Sequence, residues 1–177
     1  MTSNPPSDPR LELWKISFET YYQTYFQELL ADNLINRWQR FDEPSRALVA
    51  LTTSGSAVSG WTLWAQPQFR IVWVFLAGAS AVLATLHATM NVPGRLKDQA
   101  DLRRRFAGLR IDLETFRNHM RIDANFPMNE YNVQFDALRG RYSEAYQLLK
   151  NDFFLTRSLE NECQNDLDVR LRDELQR

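Results

Sequence analysis

The sequence predicts an all-α protein built around an integral membrane hairpin of two transmembrane helices, with amphipathic and coiled-coil helices on both sides. Three observations carry this reading. Residues 47–92 hold a single charged side chain, Arg70. Residues 10–42 contain neither proline nor glycine, and apolar residues recur there at steps of three and four. The same four-three spacing returns after residue 101. The formal net charge of −1 offers no basic stripe, so nucleic acid is not an expected partner.

Residues 1–8 form a polar, proline-rich lead, expected to be disordered. Asp8 followed by Pro9 marks a helix start, with the carboxylate capping free amides and proline in the first helical position. The segment 9–45 then reads as one amphipathic cytoplasmic helix, its face drawn by Leu11, Trp14, Phe18, Tyr21, Tyr25 and Leu29. That face either packs on other cytoplasmic helices or lies in lipid headgroups.

Residues 46–92 are expected to be the hairpin. The uncharged run 47–66 spans about 30 Å at ~1.5 Å per residue, enough for the hydrocarbon layer. Residues 71–92 repeat that length. The segment joining them, Gln66-Pro67-Gln68-Phe69-Arg70, allows only a tight reversal. Trp61, Trp64, Phe69 and Trp73 at the reversal, with Trp38 and Phe41 at the other end, suit two interfacial aromatic belts. Arg37, Arg40 and Arg46 precede the hairpin, and Arg95, Lys97 and Arg103-Arg104-Arg105 follow it. This bias predicts a multi-pass bacterial inner-membrane protein with both termini in the cytoplasm. The first span would serve as its own uncleaved insertion signal, because residues 1–10 lack a basic start and apolar core.

The spans differ in character. The second carries Ile71, Val72, Val74, Phe75, Leu76, Val82, Leu83 and Leu86, which supply about −2 to −5 kcal/mol toward insertion. In the first, Thr52, Gly55, Ser56, Ser59 and Thr62 share one helical face. These are the candidate pore-lining residues, since hydroxyls replace part of an ion's hydration shell. Ala77, Ala81, Ala84 and Ala88 form a candidate helix-packing stripe on the second span. The hydroxyl face either packs on that stripe or lines a path between several hairpins. His87, the one titratable histidine in a span, is the gating candidate, with a backbone-bonded interfacial histidine as the plainer reading.

Residues 93–160 are read as a cytoplasmic helical pair. Pro93-Gly94 breaks the preceding helix, and Leu102, Phe106, Leu109, Leu113, Phe116 and Met120 form a candidate assembly seam. The seam serves either other copies of the chain or the inside of an intramolecular bundle. Asn125-Phe126-Pro127 ends it, and Phe135, Leu138, Tyr142, Ala145 and Leu149 continue a second seam. Residues 161–177 read as a polar tail, frayed or partly helical, with Cys163, the only cysteine, as a surface or half-buried thiol.

No nucleophile or phosphate-loop motif is present, and two histidines with one cysteine do not complete the usual metal-ligand spacing. His119 and Asp123 share a helix face but read as a solvated contact. The expectation is a protein that is not an enzyme and takes no cofactor or metal. Its expected partners are the lipid bilayer, further copies of itself in a homo-oligomer, and a cytoplasmic sensor or regulatory protein.

The aromatic helix ending Asn36-Arg37-Trp38-Gln39-Arg40-Phe41, the Ser/Gly-rich first span, the tight loop, the alanine-rich second span and the helix through Leu102-Arg103-Arg104-Arg105-Phe106 are laid out as in the SLATT family. Over residues 15–120 the chain resembles these bacterial two-transmembrane proteins in architecture. The resemblance implies a membrane effector of an anti-phage conflict system, forming an oligomeric pore or disrupting the inner membrane under control of a cytoplasmic sensor. The alternative is a non-conducting membrane anchor or scaffold that recruits a cytoplasmic partner through its helices.

Overall fold

The computed structural model describes residues 8–55, 67–122, 127–149 and 152–175. They form five α-helices with no strand among them: α1 (Pro9–Gly55), α2 (Pro67–Met90), α3 (Val92–Ile122), α4 (Met128–Leu148) and α5 (Arg157–Leu175). The all-α class follows as expected. The membrane assignment does not: among the described residues, no helix is long and apolar enough to cross a membrane. This overturns the multi-pass inner-membrane placement and the topology derived from it. Of the first expected span only residues 47–55 are described, as the end of α1. In α2 the apolar side chains are diluted by Arg70, Gly78, Ser80, Thr85, His87 and Thr89.

The chain divides into two compact units, residues 1–34 with 99–177, and residues 35–98. In the first, α1 starts as its sequence dictates: the Asp8 carboxylate accepts from the Arg10 amide at 3.0 Å, satisfying an orphan donor of the first turn. Its inward face carries Leu13, Tyr21, Tyr25, Leu29, Leu30 and Leu34. Ser17, Thr20 and Thr24 are buried among them. Their hydroxyls donate to the carbonyls of Trp14, Ile16 and Thr20, so close packing leaves those hydroxyls partnered. Leu11 and Phe18, expected on this face, are exposed instead. Aromatic bulk suggested one face, while small, self-satisfied hydroxyls permitted another.

Helix α3 runs antiparallel to α1: Arg10 donates to the Met120 carbonyl, Arg110 pairs with Glu28 at 2.6 Å, and Arg103 with Asp32 at 3.0 Å. Helix α4 returns antiparallel to α3, with Arg141 on Asp112 at 2.6 Å. There the Phe116 ring meets Tyr131 edge-on, centroids 5.5 Å apart, and stacks on Phe135 at 5.8 Å. The tail, expected to be frayed or partly helical, contributes to the core instead of lying at the surface. Residues 157–175 are helical, and Leu159, Cys163 and Leu167 are fully buried. Steps of four place all three on one side of α5. Cys163 is thus a core thiol, which the Asn33 amide approaches at 3.4 Å. The first unit is a four-helix bundle of α5, α4 and parts of α1 and α3.

In the second unit, α1 continues through Pro44 to Gly55, so the expected boundary at residue 45 lies inside a helix. Proline there removes the amide that would serve the Arg40 carbonyl. Around it, Ser45 donates to the Asp42 carbonyl at 2.9 Å and Arg46 pairs with the Asp42 carboxylate at 2.9 Å. Trp38 is buried with its ring edge-on to Phe41, and Val92 is fully buried. The break between α2 and α3 falls at Asn91, whose φ of 46° is left-handed, a region Asn tolerates better than most residues. Pro93 and Gly94 lie just after the break, inside the first turn of α3.

Candidate interaction surface

Between Ile71 and Met90, α2 carries no Asp, Glu, Lys or Arg. Its helical hydroxyls are internally satisfied: Thr85 donates to the Ala81 carbonyl at 2.8 Å and Thr89 to that of Thr85 at 2.9 Å. Ser80 is buried. On the side away from Ser80, Ile71 is 76% exposed, Val74 58%, Phe75 80%, Val82 60% and Leu86 42%, with the exposed Thr85 and Thr89 among them. These five lie within roughly 120° of the helix circumference. An ordinary surface helix turns such a stripe inward, and contiguous exposed apolar surface of this kind marks interaction sites.

The stripe is not flat. Gly78 opens a shallow depression of about 450 Å³ bounded by Val74, Phe75, Ala79, Val82 and Leu83. Phe75, Gly78, Ala79 and Val82 stand at positions i, i+3, i+4 and i+7, the four corners of the hole that receives one side chain of a facing helix. A Cβ built on Gly78 meets nothing within 4 Å, so the depression opens outward.

A second groove of about 380 Å³ lies on the bundle between α3 and α4, with Thr115, His119 and Gln134 at its rim and Asp112 paired to Arg141 across it. That pairing neutralises the strongest charges the groove could offer. Elsewhere the bundle's electrostatics serve its packing. Burial disfavours the charge on Arg110, but its hydrogen bond and attraction to Glu28, joined by Tyr21, hold it above its ordinary range. The Arg117 guanidinium lies over the rings of Trp14 and Phe18 at 4.4 and 4.7 Å, and burial, opposed by Tyr21, lowers its pKa. Among the described residues no cluster of His, Cys, Asp or Glu converges to hold a metal ion.

The residues singled out from sequence fare unequally. Ser56, Ser59 and Thr62 lie outside the described residues, as do the side chains of Thr52, Ala77, His87 and Ala88; Gly55 is the last residue of α1. Ala81 and Ala84 are exposed on α2, to one side of the apolar stripe. Leu102, Phe106, Leu109, Leu113, Phe116 and Met120 are all buried within the bundle, so this seam serves the chain's own helices. Asp123 lies outside the described residues, and His119 is exposed. Arg103 and Arg104 are engaged by Asp32 and Asp101. What the sequence reading missed is the hole at Gly78, although its four-residue spacing was there to be read.

No protein-family model, curated protein or solved structure matches the chain. The resemblance of layout described above rests on the quoted residues alone.

Proposed function

We propose that this chain is a helical scaffold, in which the bundle of the first unit is a self-contained body and α2 is a recognition helix that engages a partner helix. An oligomeric pore requires spans that the described helices do not supply. The reading that goes forward is therefore the partner-recruiting one, without the membrane anchor. The observation that carries it is the exposure of Ile71, Val74, Phe75, Val82 and Leu86 along one side of α2, with a helix-receiving hole at its centre. Regularly spaced apolar anchors of this kind are how a helix enters another protein's groove or pairs with a second helix.

The test is a photoactivatable cross-linking residue placed at position 75 of the full chain in cells, with position 104 as the control. A discrete polypeptide adduct from 75, absent from 104 and lost on Val82→Glu, is the expected result. Adducts with lipid alone, or none, overturn the reading.

A further inference from the structure

Taking α2 as a recognition helix, we infer that its partner is the same helix of a second copy, paired antiparallel about Gly78 and Ala79. This rests on the scaffold reading and names the occupant. The argument begins with the symmetry of the stripe. Reflected about the midpoint between residues 78 and 79, Ile71 exchanges with Leu86, Val74 with Leu83, Phe75 with Val82, and Gly78 with Ala79. The residues bounding the depression map onto themselves under this exchange. A two-fold interface has this property, because residue i of one copy meets j of the other and j meets i.

Size and charge agree with this occupant. In an antiparallel pair the largest side chains meet off centre, Phe75 against Val82 and Ile71 against Leu86. At the crossing only Gly78 and Ala79 intervene, so the backbones approach closely. The five large side chains expose on the order of 500 Å² in one copy, and their mutual burial removes on the order of 1,000 Å², the lower bound for a specific interface. No charged residue lies between Ile71 and Met90 to repel its counterpart. Antiparallel alignment also sets the positive end of each helix dipole beside the negative end of the other.

Gly78→Leu separates this pairing from generic apolar adhesion. A Cβ at this position meets nothing within 4 Å and leucine raises helix propensity, so the fold is expected to be retained while the helix becomes more apolar. Lipid binding or nonspecific clustering would strengthen. The close crossing would be blocked.

The experiment is sedimentation equilibrium of the full chain over a range of concentrations, with far-ultraviolet circular dichroism as the check on folding. The wild type is expected to rise from 20.8 kDa toward twice that mass, and Gly78→Leu to weaken association by about tenfold or more. A mixture of Phe75→Cys and Val82→Cys chains should form the mixed disulfide faster than either chain alone. A monomer at every concentration, a dimer indifferent to Gly78→Leu, or preferential cross-linking of Phe75→Cys to itself overturns the proposal. So does flotation of a monomeric wild type with phosphatidylcholine–phosphatidylglycerol vesicles that Gly78→Leu enhances. Cross-links from position 75 to a different polypeptide overturn self-pairing and leave the scaffold reading standing; no polypeptide adduct at all removes both.

Discussion

At the scale of single residues, the Arg110–Glu28 pair is the most consequential polar contact of the bundle. Its side chains are 24% and 16% exposed, and Arg110 also lies over the Tyr25 ring at 4.8 Å. Removing one charge strands the other between helices, so Glu28→Gln should cost about 1–3 kcal/mol in urea denaturation. Two tyrosines give a pH signature. Burial first, then the hydrogen bond to Asp168, raises Tyr22 above its ordinary value; burial, then the charge of Tyr146, raises Tyr142. The folded state therefore favours both neutral phenols. Their contribution is fully present below the unfolded pKa near 10, and is lost as pH rises through the higher folded values. Denaturation midpoints should fall across that alkaline range, and less steeply for Tyr22→Phe with Tyr142→Phe. Gly94 offers a third test. A Cβ there collides with the Asn91 side-chain amide, whereas one on Gly108 or Gly140 meets nothing within 4 Å. Gly108→Ala and Gly140→Ala should each gain up to ~1 kcal/mol. Gly94→Ala should fail to gain until Asn91→Gly removes the obstacle, a coupling that a double-mutant cycle measures.

At the scale of elements, α5 separates what the sequence disclosed from what it hid. Leu102, Phe106, Leu109, Leu113, Phe116 and Met120 announced α3 by their strict spacing, and all are buried. Phe135, Leu138, Ala145 and Leu149 did the same for α4 and the residue after it. Leu159, Cys163 and Leu167 follow steps of four with only polar residues between them, so α5 reads as a tail until three partner helices close over a narrow apolar edge. Leu167→Ala should cost about 2–5 kcal/mol, checked by urea denaturation. The start of α1 was legible in Asp8-Pro9, but its end was not. The helix was expected to stop at residue 45, one past Pro44, and it runs on to Gly55, with the contacts of Trp38, Asp42 and Arg46 stabilising the turn around the proline.

At the scale of the whole molecule, the principal misreading was to take low charge across residues 47–92 as membrane solvent. Apolar composition reports only that a surface avoids water. It does not say whether lipid, the chain's own core or another helix provides the shelter. The exposed stripe of α2 lies in the unit of residues 35–98, while the bundle's two apolar clusters are built from residues of the other unit. Phe75→Ser should therefore alter association while leaving bundle stability within about 0.5 kcal/mol, as for other exposed positions. Parallel measurements of size and of urea midpoint decide that.

The burial of Cys163 gives the bundle an internal clock. It is the only cysteine in the chain and is completely covered among Leu30, Leu34, Phe106 and Leu159, so a thiol reagent reaches it only when those helices part. Under fast labelling, each modified molecule records one opening event. Comparing that rate with and without a partner on α2 would report whether occupancy of one unit is felt as a change in the breathing of the other.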